Sequence, residues 1–133
     1  MTPVILDIRT PDQVNLARKT VQEQASKMAF GTLEKTKFVT AASELARNTL
    51  VHGKGGTMTM TQIEHGGRTG LHLVFADAGP GIGDIEQALQ DGFTTARSLG
   101  LGLGGARRLV NEFAITSVPG VGTTVSITQW KRR

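Results

Sequence analysis

The sequence predicts a single α+β domain, a two-layer α/β sandwich in which helices cover one face of a mixed, mostly antiparallel sheet. The 133 residues suit one domain with its own core. The apolar patterns give the order β-α-α-β-β-α-loop-α-β-β. Strands that follow one another directly favour antiparallel pairing, whereas a doubly wound parallel sheet needs a helix between strands. We therefore treat residues 1–133 as one domain.

The chain opens with a predicted strand and two predicted helices. Residues 3–8 are rich in β-forming residues, and Thr10-Pro11-Asp12-Gln13 then resembles a capping box with proline at the first helical position. Apolar residues recur at helical spacing from Val14 to Met28, so this helix should end before Gly31. Thr32 is expected to cap the second helix. Its predicted buried stripe consists of Phe38, Ala41, Ala42, Leu45 and Thr49.

A hairpin is predicted next. Residues 57–61 alternate with period two, residues 66–70 form a glycine-rich turn, and residues 71–76 form the returning strand. Asp84 should then cap a short helix that runs to Leu89.

The C-terminal part of the chain is predicted to contain a helix and a second hairpin. Residues 92–99 lack a clear period, and we expect them to form a mobile segment. A helix is marked by Leu103, Ala106, Leu109, Val110 and Phe113. Strands over 114–118 and 123–128 follow, joined by Pro119-Gly120-Val121-Gly122.

Composition excludes several classes of function. The chain has no cysteine, which removes disulfides, thiolate metal sites and cysteine nucleophiles, and leaves the cytoplasm as the expected compartment. The apolar runs are far shorter than the roughly 20 residues that cross a bilayer, so no membrane role is expected. The net charge of +4 invites a nucleic-acid interpretation, but the basic residues are scattered and six aromatic residues supply few stacking surfaces. We therefore expect no nucleic-acid partner.

Glycine is the strongest feature of the composition, with seventeen residues. Two runs stand out, Gly79-Pro80-Gly81-Ile82-Gly83 and Gly100-Leu101-Gly102-Leu103-Gly104-Gly105. Glycine lets backbone amides approach a ligand closely, and amides at a helix start favour phosphate. Either run alone could be an ordinary turn. The second run fits G-x-G-x-x-G, but it follows no predicted strand, so a dinucleotide-binding fold is not expected.

Three polar positions are candidates for a ligand site. Glu44 and Asn48 are four residues apart on the second predicted helix and so share a face. The Asn48 oxygen suits Mg²⁺, and Glu44 could orient or deprotonate a hydroxyl. Asp77 ends an apolar strand just before the first glycine run, where its carboxylate could accept a hydrogen bond from an exocyclic amine such as adenine N6. Each of these residues also has an ordinary structural explanation, as an exposed i,i+4 pair or a turn residue.

Read in order, four segments resemble the sequence boxes of the GHKL (Bergerat-type) ATPases. They are Glu44-Leu45-Ala46-Arg47-Asn48, Asp77-Ala78-Gly79-Pro80-Gly81, Gly100-Leu101-Gly102-Leu103-Gly104 and Gly122-Thr123-Thr124. Within that superfamily, the segment 91–96, the following glycines and Arg107-Arg108-Leu109 are most similar to the RsbT-like serine/threonine kinases, which belong to the anti-sigma-factor regulatory kinase group.

The resemblance implies a function for each box. Asn48 would bind Mg²⁺, and Asp77, assisted by Thr123, would bind adenine. The other nucleotide-binding residues would be Gly79, Gly81, Arg97, Gly100, Leu101, Gly102, Leu103 and Gly104. Glu44 would be the catalytic carboxylate, with ATP and Mg²⁺ as cofactors. Catalysis would rest on positioning and charge neutralisation.

The resemblance also implies partners. The chain would be a bacterial stress-signalling kinase of a stressosome or partner-switching module, which phosphorylates a serine or threonine of STAS-domain proteins. Activation of a metal-dependent phosphatase is a further expectation. Two alternatives remain open: an anti-sigma-factor kinase that sequesters a sigma factor, and a non-catalytic module that uses ATP as a conformational ligand.

Overall fold

The structure is a computed structural model that describes residues 1–90 and 102–132. The predicted order of elements is confirmed, within those residues, as five strands and four helices. The strands are β1 (Val4–Ile8), β2 (Gly56–His65), β3 (Arg68–Asp77), β4 (Glu112–Val118) and β5 (Gly122–Trp130); the helices are α1 (Pro11–Lys27), α2 (Thr32–Val51), α3 (Ile85–Ala88) and α4 (Gly102–Arg108).

The strands form one sheet in the order β1-β2-β3-β5-β4. Each of the four pairings among the described strands is antiparallel, so the expected parallel component is not seen in this part of the chain. The last strand, β5, lies between β3 and β4. This position places the start of β5 beside the end of β3, with Thr123 opposite Asp77.

The register gives the sheet one apolar face. Leu6, Met58, Phe75, Val125 and Ile115 are successive cross-strand partners from one edge to the other. Because side chains alternate along a strand, these residues all point to the same side. The opposite face carries mainly threonine, serine and histidine. The core therefore lies between one face of the sheet and the helices, which is the expected two-layer sandwich.

Helices α1 and α2 form the second layer. The small buried residues of α1, Ala17 and Ala25, flank Val21 on its inner face. The whole stripe predicted for α2, from Phe38 to Thr49, is buried. Full burial of a large side chain such as Phe38 typically contributes about 1.5–3 kcal/mol.

Helix α1 begins as predicted and α2 does not. The Thr10 hydroxyl accepts a hydrogen bond from the Gln13 amide at 3.2 Å, and the Gln13 side chain accepts one from Arg9 N at 2.7 Å. The expected Thr32 cap is wrong. Gly31 is the N-cap of α2, without a side-chain cap hydrogen bond, and Thr32 is the first helical residue.

Two further boundaries differ from the predictions. The first hairpin is longer, because Gly66 and Gly67 both adopt positive φ and form a tight two-residue turn. The predicted helix through Phe113 ends at Arg108, because Phe113 belongs to β4 and pairs with Ile127. The spacing of apolar residues could not distinguish a helix from a strand at this boundary, since Phe113 and Ile115 fit a strand as well as a helix. The segment 92–99 lies outside the described residues.

No helix in residues 1–90 or 102–132 has the length and apolar character needed to cross a bilayer.

The two threonines give a matched test of helix capping. Thr10→Ala should lower the free energy of unfolding by about 1 kcal/mol, because it removes an N-cap acceptor. Thr32→Ala should change it by less than about 0.5 kcal/mol, since Thr32 caps nothing. Urea unfolding of both variants measures the difference. Equal losses would contradict the assignment of Gly31 as the cap.

Candidate functional site

A cavity of about 320 Å³ lies where the C-terminal half of α2 meets the end of β3 and the start of β5. Its apolar lining consists of Leu45, Phe75, Ile82, Ala88, Leu103 and Val125. Its polar lining consists of Asn48, Thr49, His52, Asp77 and Thr123. An apolar slot with a few polar groups is the usual form of a small-molecule site. Three predicted site residues, Asn48, Asp77 and Thr123, thus share one cavity.

Asp77 occupies the end of β3, and its neighbours hold it in place. Its Oδ1 accepts hydrogen bonds from the Gly79 amide at 2.9 Å and the Thr123 amide at 3.3 Å. These two amides orient the carboxylate. Within the described residues, Oδ2 has no assigned hydrogen bond, and it is the oxygen left to accept one from a ligand.

Gly53 allows the end of α2 to approach this carboxylate. A β-carbon at position 53 would collide with the carboxylate of Asp77 and lie 2.6 Å from its Cβ. On the other side, a β-carbon at Gly79 would lie 2.8 Å from the Cα of Gly53. The three residues therefore pack as a unit in which only glycine fits at positions 53 and 79.

The Thr123 hydroxyl is positioned by Ser117 of β4. The two side-chain oxygens are 2.8 Å apart, and Ser117 Oγ also accepts a hydrogen bond from the Ile82 amide at 2.7 Å. Ser117 thereby links the first glycine run to β5. The Gly120 amide reinforces the link by donating to the Pro80 carbonyl at 2.7 Å.

Asn48 lies one turn before the end of α2. Its carbonyl accepts hydrogen bonds from the amides of His52 and Gly53 at 2.9 and 3.1 Å, which end the helix beside Asp77. Its side chain lines the cavity. The Asn48 carboxamide and the Asp77 carboxylate are therefore carried by different elements and face one space.

Glu44 is buried next to the cavity, with 5% of its surface exposed. Arg47 Nη2 contacts both carboxylate oxygens, at 2.6 Å for Oε2 and 3.0 Å for Oε1. Oε1 also accepts a hydrogen bond from the Gly102 amide at 3.1 Å. Among the described residues, Glu44 does not line the cavity itself. It contacts Gly102, which does line the cavity. Glu44 is thus paired with Arg47, whereas Asn48 lines the cavity.

The remaining glycines pack closely against backbone. A β-carbon at Gly81 would lie 2.8 Å from the Val118 carbonyl carbon, and one at Gly104 would lie 2.9 Å from that of Leu89. Gly81, Gly102 and Leu103 line the cavity or its rim. Arg97, Gly100 and Leu101 lie outside the described residues, so their roles stay predictions.

Sequence reasoning missed four residues of this site: Arg47, Gly53, His52 and Ser117. No local pattern identifies Ser117 or Gly53, because their partners are distant in sequence. Arg47 could have been found, since a basic residue three positions after Glu44 is a typical helical ion pair.

Comparison with known proteins shows the family of the chain. The family model described as the histidine kinase-like ATPase domain matches residues 9–129. The chain belongs to this family. It is 38% identical over 125 residues to the serine/threonine-protein kinase RsbT of Bacillus subtilis, with 94% of each chain covered. It is also 34% identical over 97 residues to the anti-sigma F factor of a Thermoanaerobacter species, covering 68% of this chain and 66% of that protein.

Solved structures share the fold. The RsbU and RsbW domains of a Mycobacterium tuberculosis protein match with a TM-score of 0.66 at 21% identity, over all of this chain and 34% of that one. The catalytic domain of the histidine kinase ThkA matches with a TM-score of 0.55 at 16% identity, over 96% of both chains. At these identities the likeness concerns the fold alone.

Family membership implies that the chain binds ATP. The lining fits a nucleotide: the apolar slot suits a purine ring, and Asp77 at its inner end can accept a hydrogen bond from an amine. The side-chain oxygen of Asn48 fits Mg²⁺ as a single protein ligand, because this ion commonly completes its shell with phosphate oxygens and water.

The close contact at Gly53 gives a direct test. Gly53→Ala should weaken ATP binding at least about tenfold, because the new methyl group displaces the Asp77 carboxylate and costs a charge-assisted hydrogen bond. Isothermal titration with ATP measures the change.

Gly83→Ala is the matched control, because a β-carbon there meets no atom within 4 Å. It should bind ATP like the unmodified chain. If Gly53→Ala kept full affinity, the assigned packing of α2 against Asp77 would be wrong.

Proposed function

We propose that this protein is an ATP-dependent serine/threonine protein kinase of a bacterial partner-switching module, acting on STAS-domain proteins. The observation that carries the proposal is the convergence of Asp77, Asn48 and Thr123 on one apolar cavity beside a buried Glu44. The 38% identity to a protein named as a serine/threonine kinase, over nearly the whole chain, supports the reaction class.

In this proposal, one end of the cavity would hold the base and the other end the phosphates. Asp77 would accept a hydrogen bond from the exocyclic amine of adenine, and the Thr123 hydroxyl, fixed by Ser117, would contact the same edge. The apolar residues Phe75, Ile82 and Val125 would enclose the ring. Bound Mg²⁺, held by Asn48 and the phosphates, would supply charge neutralisation on the phosphoryl oxygens.

In this proposal, the Glu44 carboxylate would receive the proton of the acceptor hydroxyl. In the transfer step, the serine or threonine oxygen would form a bond to the γ-phosphorus while the bond from that phosphorus to the bridging β,γ-oxygen breaks. ADP leaves with the bridging electrons, and the hydroxyl proton passes to the Glu44 carboxylate. Arg47 and the Gly102 amide hold both Glu44 oxygens, so they are positioning groups for this carboxylate.

The finer assignments rest on the sequence resemblance. STAS-domain proteins as substrates, a metal-dependent phosphatase as a second partner and a cytoplasmic location stay predictions. So do the nucleotide-binding roles of Gly79 and Gly81, which would give the nucleotide room, and the phosphate-binding roles of Arg97 and of residues 100–104.

The similarity to anti-sigma F factors favours a second candidate function, sequestration of a sigma factor. A pull-down that compares retention of STAS-domain proteins, phosphatases and sigma factors distinguishes this candidate function from the first one. Tight retention of a sigma factor, without retention of a phosphatase, would favour this alternative. Nucleotide binding without phosphorylation of any STAS-domain protein would instead favour the non-catalytic module.

Asp77→Asn should reduce ATP affinity at least about tenfold, because a charged acceptor is replaced by a neutral amide whose NH₂ group opposes the adenine amine. Isothermal titration with ATP, with and without Mg²⁺, measures this. Asp12→Asn removes an exposed carboxylate on α1 and should bind normally. Unchanged binding in Asp77→Asn would refute the adenine assignment.

Glu44→Gln separates binding from chemistry. The variant should bind ATP within about threefold of the unmodified chain, while its rate of phosphorylating a STAS-domain protein falls about 10²–10⁴-fold, as expected for loss of a general base. Radiolabelled phosphate transfer measures the rate. Exposed Glu23→Gln is the control. A Glu44→Gln enzyme with an undiminished rate would exclude Glu44 as the proton acceptor.

A further inference from the structure

A second cavity, of about 200 Å³, lies at the other end of the sheet. Strand β3 starts here at Arg68 and ends at Asp77 in the nucleotide cavity, so the strand separates the two sites. The start of α2, with Lys37, and the end of α4, with Arg108, complete the walls. Trp130 at the end of β5 also lines it.

The walls of this second cavity carry mainly positively charged side chains. Among the residues that the structure describes, four basic residues line it, Lys37, Arg68, Arg108 and Arg132, together with one carboxylate, that of Glu34. Arg132 Nε lies 3.5 Å from Glu34 Oε2, but the Arg132 side chain is 80% exposed, so this pair is weakly held. Like charges that converge on one concave surface repel, and a bound anion relieves that repulsion.

The polar wall behind these charges is fixed by hydrogen bonds. Gln129 is 3% exposed, and its Oε1 accepts a hydrogen bond from the Asn111 amide at 2.9 Å. The Asn111 side chain in turn accepts one from the Trp130 amide at 2.7 Å. These bonds tie the segment after α4 to the end of β5, so the wall exists before any ligand arrives.

Trp130 holds one of the cations. The Arg68 guanidinium lies 5.8 Å from the centre of the indole ring, within cation-π distance. The indole Nε1 donates a hydrogen bond to Glu112, which fixes the ring. Arg68 is half-buried as a result, and a partly desolvated guanidinium binds anions more strongly than a fully exposed one.

We propose that this second cavity is a binding site for a phosphate group. Guanidinium and ammonium groups together are the usual partners of a phosphate dianion, since they provide several charge-assisted hydrogen bonds. The volume lies below the roughly 300–1,000 Å³ of sites for larger ligands, so it suits a small phosphate monoester or free phosphate. The site is separate from the nucleotide cavity and does not depend on kinase activity.

Trp130 makes the proposal directly measurable, because it is the only tryptophan of the sequence and lines this cavity. Titration with inorganic phosphate at constant ionic strength should change its fluorescence with saturation in the millimolar range, whereas chloride should not. Isothermal titration with phosphate is the second measurement. Absence of saturable binding by both methods would overturn the proposal.

Variants locate the site. Lys37→Gln should weaken phosphate binding about tenfold, the loss expected for one charge-assisted hydrogen bond. Lys19→Gln removes the same charge from the exposed face of α1 and should bind phosphate normally. Asp77→Asn, in the nucleotide cavity, should also leave the phosphate titration unchanged. Equal weakening by Lys37→Gln and Lys19→Gln would show nonspecific attraction and refute the site.

The source of the phosphate group is separated by comparing two ligands. Tighter binding of O-phosphoserine than of inorganic phosphate would identify a phosphorylated side chain as the ligand. Tighter binding of inorganic phosphate would identify a free anion. Whichever of the two ligands binds more tightly, weaker binding by Lys37→Gln supports the site.

Discussion

The contact between the end of helix α2 and the carboxylate of Asp77 is the constraint on which the nucleotide site depends. Gly53 has no side chain, so the helix end approaches until only a hydrogen atom fits between them. The same helix carries Asn48 and Glu44, and its distance from β3 therefore sets the distance between the Asn48 side and the Asp77 side of the cavity. A larger residue at position 53 would change both the approach of α2 to Asp77 and the distance across the cavity.

Much of the fold followed from the sequence, because its local patterns agree with the tertiary structure. The stripe of α2 and the alternation of β2 each point to one buried face, and both are buried as expected. The errors arose where local patterns are ambiguous. Thr32 fits a cap position as well as Gly31 does, and Phe113 fits a helix and a strand equally. For Phe113 the deciding factor was Ile127, its partner on the neighbouring strand.

The residues of the site also divide into those that local sequence patterns predict and those that depend on distant contacts. Glu44, Asn48, Asp77 and Thr123 belong to short sequence boxes, and their order along the chain was enough to propose them. Ser117 and Gly53 act through contacts with residues of other elements, which no spacing rule encodes. The pairing of Glu44 with Arg47 was available from helical spacing, but its link to Gly102 required the structure.

The order of strands also affects how the domain is made. Strand β4 precedes β5 in the chain, yet in the sheet it is joined to the rest only through β5. During synthesis β4 therefore leaves the ribosome before β5, its partner strand, and its backbone hydrogen-bonding groups are still unpaired. Asp77 likewise lacks its neighbour Thr123 until β5 has been made. Nascent chains are exposed to aggregation at such stages. Completion of the sheet and of the Asp77 end of the cavity should thus occur in one late step.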